Sequence, residues 1–238
     1  MKNRSRNRFY NVLSIMLLLI GGGLIAYKPI MDYWVTPKHL DTLYQTSLGA
    51  EGIKQNMEKL HVQYEQVKVE AFDFSEVESL GFLDEKATIQ TENVIGGIYI
   101  PSVDINLPIL YGATNENLKA ASATMKPEQA MGEGNYAIAA HNSRNPDILF
   151  GSLKYVKADD EMYITNKDKV YKYKMVHRQV VMPERVDVID DVEDKTLLTL
   201  VTCYSADGSD RLIVTGELTE VIDYSEVESS IYEAFEPL

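Results

Sequence analysis

Residues 9–27 carry no charged side chain, and 12–20 are almost wholly apolar. A run of that length approaches the roughly 20 residues that cross a bilayer as a helix. From residue 31 to about 66 the pattern turns amphipathic. Tyr44, Leu48, Ile53, Met57, Leu60 and Tyr64 recur at spacings of three, four and seven with charges between them, the period of a helical stalk. Gly49 and Gly52 interrupt it, so two shorter helices fit as well as one. This stretch is expected to space and cap a domain rather than to carry chemistry. Ser75 with Glu78 has the capping-box spacing for a short helix through Leu80.

From Asn93 the period becomes two. Residues 94–100, 105–110, 136–141, 161–165, 170–182, 197–203 and 211–218 read as strands. Seven or eight short strands with one or two short helices between them predict a closed β-barrel, in which Pro101 and Pro108 confine their neighbours to strand ends, edges or bulges. Residues 115–125 are alanine-rich, lack β-branched side chains until their end, and predict a helix. The acidic tail 219–238, with scattered Val221, Tyr224, Ile231, Tyr232 and Phe235, predicts a helix on the barrel's outside.

Charge then sets the topology. Lys2, Arg4, Arg6 and Arg8 hold four of the 23 basic residues, and no acidic residue precedes Asp32, so beyond residue 8 stand 19 basic against 36 acidic side chains, a formal −17. A basic cluster before an apolar run keeps the N-terminus cytoplasmic and the remainder outside. No clear small-x-small cleavage site follows, and Lys28 comes directly after, so an uncleaved anchor is expected. The acidity argues against nucleic acid and anionic lipid as partners. The expected organisation is a cytoplasmic tail over 1–8, a transmembrane anchor over 9–27, a helical stalk and linker over 28–85, a β-barrel domain over 86–220 and an acidic tail over 221–238.

Candidate chemistry centres on Cys203, the chain's single cysteine. It ends the apolar strand 197–203, and a loop containing Asp207 and Gly208 leads to a second strand that opens with Arg211. Strand alternation puts Leu197, Thr199, Val201 and Cys203 on one face, and Arg211, Ile213 and Thr215 on one face. The hairpin can therefore set a guanidinium beside a thiol. A thiolate near neutral pH needs a base or cation beside it. Of four histidines, His39 and His61 lie in the polar stalk and His177 lies mid-strand. His141 ends a strand beside the small Ala137 and Ala139, with room for a substrate chain. A strand-end histidine bonded to a nearby loop fits that segment equally well. Arg144, Arg178 and Arg185 are rival cations.

Thr199-Leu-Val-Thr-Cys203, Arg211 eight residues on, and a histidine about sixty residues earlier resemble the sortases, and the TLxTC form resembles class A. The resemblance covers most of 95–218, including Ile100-Pro-Ser-Val-Asp-Ile-Asn-Leu-Pro108, Thr124-Met-Lys, Met131-Gly, Asn135-Tyr and Leu149-Phe150. It implies an eight-stranded sortase-type β-barrel on the outer face of a Gram-positive membrane. Such an enzyme cuts LPxTG-type sorting signals between threonine and glycine through a cysteine thioacyl intermediate, then joins the surface protein to the amine of a peptidoglycan precursor such as lipid II. The matching positions are Cys203 as nucleophile, His141 as general acid then base, and Arg211 as binder of substrate backbone and oxyanion, with Thr202 beside the oxyanion site.

The resemblance also implies a groove for the signal's leucine and proline, with Ala139, Thr199 and Val201 as floor and Val181, Pro183, Val186 and Val188 in the loop before the cysteine strand. Some class A members hold calcium through acidic residues before the histidine. Here Lys126 and Gln129 stand at those places and only Glu133 matches, so no metal and no cofactor are expected. Pilus-building relatives carry a lid and a C-terminal membrane helix. Residues 70–85 leave room for a lid, but no second long apolar run occurs, which favours a housekeeping enzyme over a pilin polymerase. A papain-like peptidase conflicts with the order histidine before cysteine. A non-catalytic surface-binding domain would make the combined motifs a coincidence.

Overall fold

The computed structural model describes residues 2–44, 49–67, 88–205 and 207–236. The capping-box helix and the lid segment lie outside these residues. Helix α1 (Lys2–Ile30) contains Arg8–Ile30, 23 residues apolar enough to cross a membrane and not buried against the rest of the protein. At 1.5 Å per residue that stretch is about 35 Å long, enough for a hydrocarbon core of about 30 Å. Pro29 lacks an N–H for the helical ladder, and directly after it the helix widens into a π-helical turn, Met31–Val35, with Tyr33 and Trp34 exposed.

Two further helices follow, α2 (Thr36–Tyr44) and α3 (Ala50–Val67). They pack on the barrel rather than standing clear of it. Leu40 is buried in the main core and Ile53 is fully buried. The Tyr44 hydroxyl donates to the Ala120 carbonyl at 2.8 Å, and Asn56 Nδ2 donates to the carbonyls of Thr91 and Val94 at 2.7 and 2.9 Å. The stalk is thus docked as well as spacing.

Eight strands close a barrel: β1 (Val94–Ile100), β2 (Ile105–Leu110), β3 (Ser122–Thr124), β4 (Asn135–Ala139), β5 (Glu161–Thr165), β6 (Lys169–Val181), β7 (Leu197–Cys203) and β8 (Arg211–Asp223). Their order is β1-β2-β3-β4-β7-β8-β6-β5, with β5 returning to β1. The β2–β3 and β4–β7 pairs are parallel and the others antiparallel. Every second residue points inward. Ile98, Ile100, Ile109, Ile138, Leu198, Leu200 and Val214 have no exposed surface, and each buried branched side chain of this kind contributes about 1.5–3 kcal/mol.

Several boundaries differ from the sequence reading. Only Asn115–Ala120 of the alanine-rich stretch is helical (α4), capped by the Thr114 side chain, which accepts from the Asn117 N–H. Ser122–Thr124 is a strand instead. It lies parallel to Ile109 and Leu110, and the buried Ser122 hydroxyl donates to the Pro108 carbonyl at 2.6 Å; the small side chains suit that packing, and tertiary pairing overrides helix propensity. Strand β8 runs on to Asp223 because β6 pairs with it along its length. The tail then forms helix α5 (Ser229–Phe235), whose fully buried Phe235 packs edge-on against Tyr99 at 6.2 Å.

Candidate active site

Topology brings the candidate residues to one rim. Adjacent parallel strands end at the same side of a sheet, so β4 and β7 deliver their C-terminal residues together. Their register pairs Ala137 with Thr199 and Ala139 with Val201. Strand β4 ends at Ala139 rather than at His141, but the Ala140 N–H still donates to the Val201 carbonyl at 3.2 Å, and two residues past Ala139 His141 comes level with Cys203. Antiparallel β8 begins where β7 ends, and Arg211 is the direct partner of Cys203. Val181, the last residue of β6, pairs with Arg211 on its other side.

Each group is held by its surroundings. His141 is buried, 6% exposed, and its carbonyl accepts from the Phe150 N–H at 3.1 Å. The chain reaches back to make that bond through Leu149 in a left-handed conformation, φ 50°. Thr202 is buried and its hydroxyl donates to the Ala140 carbonyl at 2.7 Å, tying the cysteine strand to the histidine strand. Asn142 Nδ2 donates to the Tyr204 carbonyl at 3.3 Å, a second tie one residue beyond each. Cys203 is partly exposed.

Arg211 uses a single nitrogen, Nη1, to bond the carbonyls of Gly208 and Asp210, both at 2.8 Å. The acids of that loop face its own donors. Asp210 accepts from the Ser205 N–H and hydroxyl, and Asp207 from the N–H and hydroxyl of Ser209. The Ser205 N–H foremost keeps Asp210 below the ordinary carboxylate range. Among the described residues Arg211 forms no ion pair, so its positive charge stands uncancelled on the rim beside the thiol.

The residues expected to line a groove differ in exposure. Ala139 is partly exposed and Val201 is 7% exposed, whereas Thr199 has no exposed surface and lies beneath the floor instead of lining it. Thr202 points into the barrel with Leu198 and Leu200, so its side chain offers no donor on the face of Cys203. Val181, at the end of β6, is half-buried; in the loop beyond it, which has a single 3-10 turn, Val186–Ile189, Pro183 and Val188 are half-buried and Val186 is 65% exposed.

Sequence reasoning missed what fastens this loop. Asn135 Nδ2 donates to the carbonyls of Val188 and Asp190 at 3.2 and 3.0 Å. The Asp191 carboxylate accepts from Lys126 Nζ at 2.7 Å and the Asn135 N–H at 2.9 Å, and those two bonds, Lys126 first, hold it below the ordinary aspartate range. Gly134, at φ 51°, lets the carboxylate approach; a Cβ there would meet it at 2.8 Å. Gln129 brackets Ala137 with bonds to its N–H and carbonyl. With a lysine ammonium against Asp191 and an amide turned to the backbone, these groups do not form an oxygen cage for a divalent cation. In the sequence Asp191 stands among Asp187, Asp190, Glu193 and Asp194, and nothing there marks its partner.

Acyl transfer through a thiol on a β-barrel rim is the class this arrangement belongs to, and comparison with known proteins narrows it. A Sortase domain model matches residues 98–219. The chain is similar to sortase A of Streptococcus agalactiae, 34% identical over 99% of this chain and 96% of that one, and to sortase A of Bacillus anthracis, 33% identical over 90% and 96%. Among solved structures, sortase A of Listeria monocytogenes is 32% identical, with a TM-score of 0.57 over 61% of this chain and 99% of that one. Sortase C-3 of Streptococcus pneumoniae, 22% identical with a TM-score of 0.61, shares the fold. The chain belongs to the sortase family, and its relatives support class A. It is a cysteine transpeptidase with one N-terminal apolar helix suited to a single-pass membrane anchor.

Proposed function

We propose that Cys203, His141 and Arg211 are the catalytic residues, and that the enzyme cleaves LPxTG-type sorting signals between threonine and glycine and joins the new carboxyl end to the amine of a cell-wall precursor. The observation that carries this is the meeting of the two register relations: Cys203 opposite Arg211 across β7–β8, and His141 level with Cys203 along β4–β7. The Cys203 thiolate attacks the threonine carbonyl, and Arg211, its charge uncancelled, holds the developing oxyanion. His141 as imidazolium protonates the departing glycine amine, then as neutral imidazole takes the proton of the incoming amine. The new peptide bond forms as the carbon–sulfur bond breaks, returning the thiolate.

Val181, Pro183, Val186 and Val188 form the groove wall for the signal's leucine and proline, above Ala139 and Val201; apolar lining suits both side chains. Residues 1–8 are cytoplasmic, 9–27 span the membrane and the barrel is outside, as the basic cluster requires. The test incubates the enzyme with a Leu-Pro-x-Thr-Gly peptide and a short amine, with products followed by mass spectrometry beside Cys203→Ala. Cleavage after threonine with ligation to the amine, absent in the variant, is the expected result. An intact peptide with the wild-type enzyme would refute the signal assignment.

A further inference from the structure

The backbone helix does not stop where the apolar span stops. At Ile30 it is still helical, φ −63° and ψ −44°, and at Thr36 it is helical again, φ −60° and ψ −46°, with the Thr36 N–H bonded to the Met31 carbonyl across the π-turn. One helical path therefore runs from the span Arg8–Ile30 through Met31–Val35 into α2.

The far end of that path is fixed to the barrel. Leu40 is buried in the main core, Leu43 packs against the same core, and the Tyr44 hydroxyl donates to the Ala120 carbonyl at 2.8 Å. Leu40 follows Ile30 by ten residues, about 15 Å of helix. A swinging tether needs a flexible segment between anchor and domain, whereas all ten of these residues are helical.

Between span and barrel the helix carries a collar of apolar surface that the barrel leaves uncovered. Ile30, Tyr33, Trp34 and Val35 are all exposed, Trp34 by 67%. Exposed apolar residues scattered singly are ordinary on a protein surface. These four instead continue a membrane span, and two of them are the aromatic types that favour the headgroup level of a bilayer, where the ring is sheltered and its N–H or O–H stays wet. Trp34 stands four residues past Ile30, about 6 Å further along the helix. The headgroup layer on each side of the hydrocarbon is roughly 5–8 Å thick, so the collar falls within it and Leu40 beyond it.

We propose that the collar Ile30–Val35 docks in the headgroup layer on the barrel's side of the membrane, and that the continuous helix mounts the barrel at a fixed height and orientation on the bilayer instead of letting it swing. The partner of this surface is the lipid itself. The inference rests on the reading of α1 as a membrane anchor.

Trp34 is the chain's single tryptophan and Cys203 its single cysteine, so each serves as an optical probe of the full chain in phosphatidylcholine vesicles. Trp34 emission should lie at shorter wavelength than that of tryptophan in water, and lipids brominated near the headgroup end of their chains should quench it more than lipids brominated near the chain ends. Emission as in water without quenching, or stronger quenching from the chain ends, overturns the headgroup placement. A dye on the partly exposed Cys203 should keep a residual anisotropy through the nanoseconds in which a tethered domain reorients. Inserting Gly-Ser-Gly-Ser-Gly-Ser between Val35 and Thr36 should abolish that residue of anisotropy, with the melting temperature checking the barrel. A wild type without residual anisotropy, or an insertion variant that retains all of it, overturns the fixed mounting. An alkaline carbonate wash separates the two readings: protein stripped from the vesicles removes the anchor and the inference together, and protein retained with a water-exposed Trp34 or a freely tumbling barrel removes the inference alone.

Discussion

Cys203 and Arg211 oppose each other on the last rung of the β7–β8 ladder. Being cross-strand partners, their side chains leave the sheet on one face, and the Gly208 and Asp210 carbonyls fix the guanidinium there. A charge held in advance beside the reacting centre costs no reorganisation during the reaction.

Replacing Arg211 with lysine should therefore not rescue activity. An ammonium cannot hold the loop carbonyls and also present a rigid second donor. Arg211→Lys and Arg211→Ala should both lower kcat by about 10²–10³-fold, measured by peptide cleavage. Folding, followed by circular dichroism, should change little.

Thr202 joins the two catalytic strands through its bond to the Ala140 carbonyl. Thr202→Val keeps the shape and leaves that carbonyl without the hydroxyl, at a cost of about 1–3 kcal/mol. Urea unfolding should show the loss, kcat should fall with it as His141 loses its alignment, and Thr202→Ser should restore both.

Asp191 fastens the loop before β7 from a largely exposed position, its side chain 67% accessible. Solvent screening limits such a pair to about 1 kcal/mol, so Asp191→Asn should raise KM for the sorting peptide up to roughly fivefold with kcat nearly intact. Because Lys126 and the Asn135 N–H lower its folded-state pKa, its contribution is complete above the ordinary aspartate value of about 3.9. It is lost as pH falls through the lowered folded value. Thermal melts from pH 5 downward should show the wild type losing stability more steeply than Asp191→Asn.

Gly96 in β1 lies directly under the Thr165 carbonyl of β5, and a Cβ there would overlap that oxygen and approach Met131 Cε at 2.6 Å. The methionine can swing aside, but the backbone cannot. Gly96→Ala should destabilise the barrel by about 1–3 kcal/mol while leaving the rim's geometry intact, which a melting curve and the kcat of the folded fraction would separate.

The alternation of apolar residues showed most strands, and the hairpin spacing showed the pairing of Cys203 with Arg211, because a short loop between two strands leaves them antiparallel neighbours. An uninterrupted apolar run likewise declared the anchor, since hydrocarbon solvation depends on composition and length alone. His141 was a different case. Its segment admitted a catalytic and a loop-bonded reading alike, and only the TLVTC and Arg211 motifs, through family resemblance, favoured one.

What the tertiary structure decided is non-local. Parallel β4 and β7 are separated in sequence by β5 and β6, so no local period records that His141 stands level with Cys203. Ser122–Thr124 became a strand because Ile109 and Leu110 offered it a ladder. The helices after the anchor settled on the barrel because Leu40 and Ile53 found cores to enter. Lys154, Arg178 and Tyr204 share a cleft because three segments distant in sequence meet there. The sequence by itself determined which segments are apolar and at what period, since burial preference belongs to each side chain; which segments meet depends on the free energy of the closed barrel as a whole.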